Sequence, residues 1–200
     1  MAMMRVAATN RILAASDSLE VLSLLATRIC HDFAGALGTL AGTLELAAEE
    51  GGEAALLSQE IAGVLVARVR LLRAAWGGGA GTLDAGALGG MALGLAGVER
   101  LRLDFSGLDG ELEEVPARLA LCLLLVAGTV LPRGGGIAVA HAAGGGVAVT
   151  LDGGIWPQGL AVPDWAAGPR GMPVPMAALT ALAHGWSIRV DGAVAVAAVG

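Results

Sequence analysis

Of the three histidines in the chain, His31 alone has neighbours that ask for chemistry, in the run Arg28-Ile29-Cys30-His31-Asp32-Phe33. An imidazole can serve as base, metal ligand or nucleophile. Metal ligation is disfavoured because Cys30, His31 and Asp32 are consecutive. On a helix they point about 100° apart, and no second His or Cys stands three or four residues on. A hydrolytic triad would need distant residues to converge, and no G-x-S-x-G turn occurs. Phosphoryl acceptance needs less: an exposed ring nitrogen, a carboxylate that orients or deprotonates the other nitrogen, and a partner that supplies the metal. Asp32 is placed for the carboxylate's part. Cys30 reads as a small apolar residue at a stripe edge, and His141 and His184 read as structural.

The helix that carries His31 sets what surrounds it. At 3.6 residues per turn, Leu22, Ile29, Phe33, Leu40 and Ala47 fall within roughly 20° of the opposite face and form the expected buried stripe. Leu24, Thr27, Arg28, Ala34, Gly35, Gly38, Gly42, Glu45 and Glu49 share the His31 face, within roughly 60°. Each glycine in a helix costs about 1 kcal/mol relative to alanine. Three on one stripe, Gly35, Gly38 and Gly42, call for compensation, and close approach by another protein's helix supplies it.

This helix is expected to run from a cap at Asp17 or Ser18 to about Glu50, where Gly51-Gly52 stops it. A second runs from about Glu53 to Trp76, with Leu57, Ile61, Val64, Leu65, Leu72 and Trp76 on its apolar side. Two helices cannot enclose a core, so a four-helix bundle from two chains is the economical arrangement, and a homodimer is expected from burial alone. Composition changes near Gly77: residues 1–76 hold six Gly and no Pro, whereas 26 Gly and all seven Pro follow. Gly77-Gly78-Gly79-Ala80-Gly81 reads as the connector, giving a hairpin domain over 1–76 and an α/β domain over 77–200.

In the second domain, Leu83 to Val98, Pro116 to Leu131 and Val174 to His184 read as helices. Arg100 to Phe105, Ile137 to Ala142, Val147 to Leu151, Ser187 to Val190 and Ala193 to Val199 read as strands. Asp191-Gly192 is a two-residue hairpin turn. The order α-β-α-β-β-α-β-β argues for an α+β chain with a mixed sheet covered by helices on one face.

Composition removes other classes of function. The formal charge of −6 and six aromatic residues in 200 leave neither the basic footprint nor the stacking platform of nucleic-acid binding. Mean hydropathy is +0.72, yet the best apolar candidate, Leu119 to Leu131, is too short to span a membrane. The opening Met-Ala-Met-Met-Arg lacks a secretory signal's pattern, and two isolated cysteines make no disulfide framework. A soluble cytoplasmic protein without bound metal is expected.

Leu25-Ala26-Thr27-Arg28-Ile29-Cys30-His31-Asp32-Phe33, continued through Gly38 to Leu44-Glu45-Leu46, resembles the phosphorylation helix of the ChpT-type histidine phosphotransferases of bacterial phosphorelays. Leu72-Arg73-Ala74-Ala75-Trp76-Gly77 is similar to the end of that family's second helix, and Leu131-Pro132-Arg133-Gly134-Gly135 to a turn in its C-terminal domain. The resemblance implies a dimer with kinase-like dimerisation helices, each followed by a domain similar to a histidine-kinase ATP-binding domain that no longer binds nucleotide. Ala127-Gly128-Thr129-Val130 stands where a kinase carries its Asn-rich box, and the chain's single Asn is Asn10. The family's Pro after the His is absent, with Ala36 nearby, and Gly35 stands where a phosphatase motif wants Thr or Asn.

The function expected is transfer of a phosphoryl group between receiver domains of response regulators through phospho-His31. Asp32 would orient the imidazole, and Thr27, Arg28, Gly35, Gly38 and Gly42 would form the docking surface. No cofactor is expected on this chain, Mg2+ coming with the receiver. The alternatives are a non-enzymatic dimeric adaptor or degenerate kinase homologue, an ATP-dependent kinase, and, last, a small-molecule enzyme.

Overall fold

A computed structural model describes residues 15–50, 52–77, 79–160 and 168–200. The opening Met-Ala-Met-Met-Arg, Asn10, Gly51 and Gly78 lie outside the described residues. The chain forms α1 (Ala15–Glu50), α2 (Glu53–Leu72), a π-helical turn (Arg73–Gly77), α3 (Ala85–Ala92), β1 (Leu101–Gly107), α4 (Glu114–Val130), β2 (Gly135–Ala142), β3 (Gly146–Asp152), α5 (Gly168–Gly171), α6 (Pro173–Ala183), β4 (Trp186–Asp191) and β5 (Val194–Val199). It is an α+β chain: a helical hairpin, then a five-stranded sheet with helices.

The sheet runs β1-β2-β3-β5-β4, with β1 and β2 parallel and the other pairs antiparallel. Parallel neighbours need a crossover, and α4 supplies it. Alternation along the strands sends Ile137, Val139, Val147, Val149, Leu151, Ile188, Ala195 and Ala197 into one core with α4. From Leu119 to Ala127 every side chain of α4 is buried, as an all-round apolar helix between layers requires.

That core does not end at residue 77. Leu71, Leu72, Ala74 and Ala75 belong to the same buried cluster. The π-helical turn leaves the Ala75 carbonyl to be satisfied from outside the helix, and Arg118 Nε donates to it at 3.0 Å. Cys122 Sγ lies 3.5 Å from the same oxygen. The hairpin's second helix is thereby seated in the C-terminal domain.

Several sequence-based expectations are corrected. The helix expected over Leu83 to Val98 spans only Ala85–Ala92. Leu83 pairs with Leu112 in an isolated bridge, Asp84 caps the helix by accepting from Ala87 N at 2.7 Å, and Gly97 at φ 71° ends the following turns. Asp17 and Ser18 fall inside α1 rather than before it. The last hairpin loop is Gly192-Ala193, since Asp191 still pairs with Val194. Gly192, at φ 56°, then takes the first central position, where a two-residue turn with a single positive φ wants glycine.

The apolar stripes are also covered less than expected. Leu22 is 61% and Ile29 36% exposed on α1, and Leu57 and Val64 are exposed on α2. Phe33, Leu65 and Leu72 do pack inward. Two helices can shield only one line of each other, and the rest faces outward within one chain.

Cys122 is fully buried and Cys30 exposed, both as free thiols. Burial pushes the Cys122 thiol up to about 11, against an ordinary value of 9.0. One thiol per chain will therefore react with an aromatic disulfide reagent in the native protein, and two after unfolding. Because the folded state holds the Cys122 proton more tightly than the unfolded state, this thiol's contribution is fully present below about pH 9. It is lost as pH rises towards about 11, a fall that denaturant titrations across that window will record.

Candidate functional site

His31 projects from the middle of α1 with its side chain 65% exposed. Its Nδ1 faces Asp32 Oδ1 at 3.7 Å, a separation that is electrostatic contact rather than a hydrogen bond. Nε2 has no hydrogen-bond partner among the described residues, on a side chain that is largely exposed.

Asp32 is held by two arginines through its other oxygen. Arg28 Nε donates to Oδ2 at 3.1 Å from one turn before, and Arg68 Nη2 donates to the same atom at 2.6 Å from α2. All three side chains are about nine-tenths shielded from solvent. Arg68 Nη1 also donates to the Gly94 carbonyl at 2.8 Å. Charge-assisted bonds of this length are the strong ones, and the pairing offsets the cost of shielding the three charges.

Sequence reasoning placed Arg28 on the His31 face as part of the docking surface. The structure engages its Nε with Asp32 while leaving the side chain at the cleft beside His31. Arg68 was missed, although a signal was present. Ile61, Leu65, Arg68 and Leu72 recur at helical spacing, and a cation in an apolar stripe demands a shielded anion.

Thr27, Gly35 and Gly38 are exposed and Gly42 half-buried along the same helix. A Cβ built on Gly35, Gly38 or Gly42 would meet nothing within 4 Å. Packing among the described residues therefore does not account for these glycines, and the surface they line is low and open. Short α5 adds Pro169 and Arg170. With Thr27, Arg28 and His31 they line a cleft of about 330 Å³. Behind it a second cavity, of about 270 Å³, lies between hairpin and C-terminal domain against Arg28, Asp32, Arg68, Gly128, Thr129 and Arg170.

Cys30 is exposed on α1 and His141 on β2. His184 Nε2 lies 3.5 Å from Arg118 Nη1. None of the three lines the clefts around His31. Among the described residues no group of three or more His, Cys, Asp or Glu gathers as metal ligands, and no helix is long and apolar enough to cross a membrane.

An exposed histidine in mid-helix thus stands beside a clamped aspartate, ahead of a mixed sheet covered by helices. Residues 86–155 match the model of the histidine phosphotransferase C-terminal domain. The chain is 34% identical over 129 residues to the protein phosphotransferase ChpT of Brucella abortus (strain 2308), an alignment covering 62% of this chain and 61% of that protein. A bacterial phosphotransferase of known structure superimposes with a TM-score of 0.71 at 25% identity, covering 92% of this chain and 97% of that one. The chain spans about three-fifths of the length of the curated relative it matches.

The clamp makes a stability difference that titration with denaturant will measure. Removing one partner strands a shielded charge, so Arg68→Ala or Asp32→Ala will cost on the order of 3 to 5 kcal/mol. His31→Ala will change stability by less than about 0.5 kcal/mol, as exposed positions generally do.

Proposed function

We propose that this protein is the histidine phosphotransferase of a phosphorelay, carrying a phosphoryl group between the receiver domains of response regulators. One observation carries the reading: the His31 side chain is largely exposed while its Nδ1 faces the carboxylate of Asp32. Neutral imidazole protonated on Nδ1 attacks the aspartyl phosphate of a receiver through Nε2. The new N–P bond forms as the P–O bond breaks, the receiver carboxylate leaves with the electron pair, and the positive charge that develops on the ring lies beside Asp32. Transfer to a second receiver reverses the step. Mg2+ belongs to the receiver's acidic pocket in this reading, and this chain contributes the nucleophile, its orientation and a docking surface at Thr27, Arg28, Gly35, Gly38 and Gly42.

The family relationship supports the same reading, and the aligned part of the Brucella protein supports it over nearly two-thirds of this chain. Incubating the protein with a phosphorylated receiver tests it. Label will move to wild type as acid-labile phosphohistidine and will not move to His31→Ala. A stable receiver complex with no label on His31 identifies a non-enzymatic adaptor instead.

We further infer that the working unit is a homodimer. Leu22, Ile29, Leu37 and Leu44 on α1 and Val66 and Val69 on α2 are exposed apolar side chains. An apolar groove of about 440 Å³ runs between the helices along Leu25, Ile29, Phe33, Val69 and Leu72. A second copy of the hairpin supplies matching stripes and closes four helices around one core. Light scattering will give twice the 19.8 kDa chain mass, and Leu37→Glu combined with Val66→Glu will give the monomer.

A further inference from the structure

Arg68 does more than neutralise Asp32, because its guanidinium bridges two parts of the molecule. Nη2 donates to Asp32 on α1, and Nη1 donates to the carbonyl of Gly94, in the turn after α3. That turn is rooted in the C-terminal core, since Ala92 and Leu95 on either side are buried. It also touches α2 backbone to backbone. A Cβ on Gly94 would lie 2.7 Å from Ala67 C and 2.9 Å from the Arg68 Cα, and would strike the Ala67 carbonyl oxygen. Glycine is required there, and the approach it permits aims the Gly94 carbonyl at Arg68.

A planar guanidinium held by two acceptors cannot move one without the other. Oδ2 of Asp32 takes its position from Arg68 and Arg28, and Oδ1 is the atom left facing His31 Nδ1. The cavity of about 270 Å³ beside this cluster leaves the side chains room to rearrange. We propose that Arg68 is a positioning residue that relays the seating of the Leu93–Gly97 turn, through Asp32, to the tautomer and orientation of His31. The phosphate-accepting state of the hairpin then depends on how the C-terminal domain sits against it. This deepens the phosphotransferase reading and rests on it for its consequence, though not for the coupling itself.

Gly94→Ala tests the relay without altering a charge or any residue that touches His31. In the full-length protein, long-range 1H–15N spectra of the imidazole give the ratio of Nδ1–H to Nε2–H tautomers at His31. Phosphoramidate, a small phosphodonor that needs no docking, gives the phosphorylation rate. Wild type will hold the Nδ1–H form in excess. Gly94→Ala and Arg68→Met will raise the Nε2–H share severalfold and slow phosphorylation by about ten- to a hundredfold, the scale on which a misplaced group slows a reaction. Arg68→Lys, which reaches one acceptor at a time, will fall between. Leu112→Ala, a core truncation at a residue that does not line the cavity beside Arg68, will lower stability and leave the tautomer ratio unchanged.

If Gly94→Ala, folded by circular dichroism, keeps both the wild-type tautomer ratio and the wild-type rate, the relay is overturned. Should Arg68→Met fail to fold, Gly94→Ala and Arg68→Lys decide the matter. If Gly94→Ala shifts the tautomer ratio while wild-type His31 takes no phosphate from any donor, the relay stands and the phosphotransferase reading falls.

Discussion

The ion cluster of Arg28, Asp32 and Arg68 is the interaction on which the arrangement of this protein depends. It joins α1 to α2 across their seam and, through the Gly94 carbonyl, joins the hairpin to the C-terminal domain. A shielded carboxylate would be expensive alone, and two guanidinium partners make it tolerable. The rest of the seam follows the same economy. Thr43 and Ser58 are buried there, and each satisfies its hydroxyl on its own helix, at the Leu40 and Ala54 carbonyls.

Tying up the Asp32 carboxylate in this way frees two faces of α1 for other work. The His31 face is low and glycine-lined, and a Cβ on Gly35, Gly38 or Gly42 would meet nothing within 4 Å among the described residues. The opposite face is apolar and only partly covered. A helix that served only to pack would need neither. The C-terminal domain contributes by its placement, since it buries the end of α2, caps the π-helical turn through Arg118 and brings Pro169 and Arg170 to the cleft beside His31.

Much of this was legible in the residues. The two helices, the crossover helix α4 and all five strands follow from periodicity, because those segments have apolar patterns that allow one reading, though α1 starts earlier than its expected cap and α2 gives way at Arg73 to a π-helical turn. The region from Leu83 to Arg100 did not, since its glycines are compatible with helix and turn alike, and what ended α3 was a close approach to α2 that composition does not record. Arg68 was overlooked for a related reason. Its partner lies 36 residues away, and sequence spacing speaks only for neighbours within a few turns.

What the sequence by itself determined was local. The run around His31 and Asp32 marked the candidate site, and helical periodicity separated its face from the apolar one, because both depend on residues within one element. Tertiary structure alone decided which oxygen of Asp32 faces the imidazole, which cation holds the other oxygen, and how the C-terminal domain is attached to that pair. Those choices depend on distances between elements remote in sequence. They are set by where buried charges find partners and where only glycine lets two backbones meet.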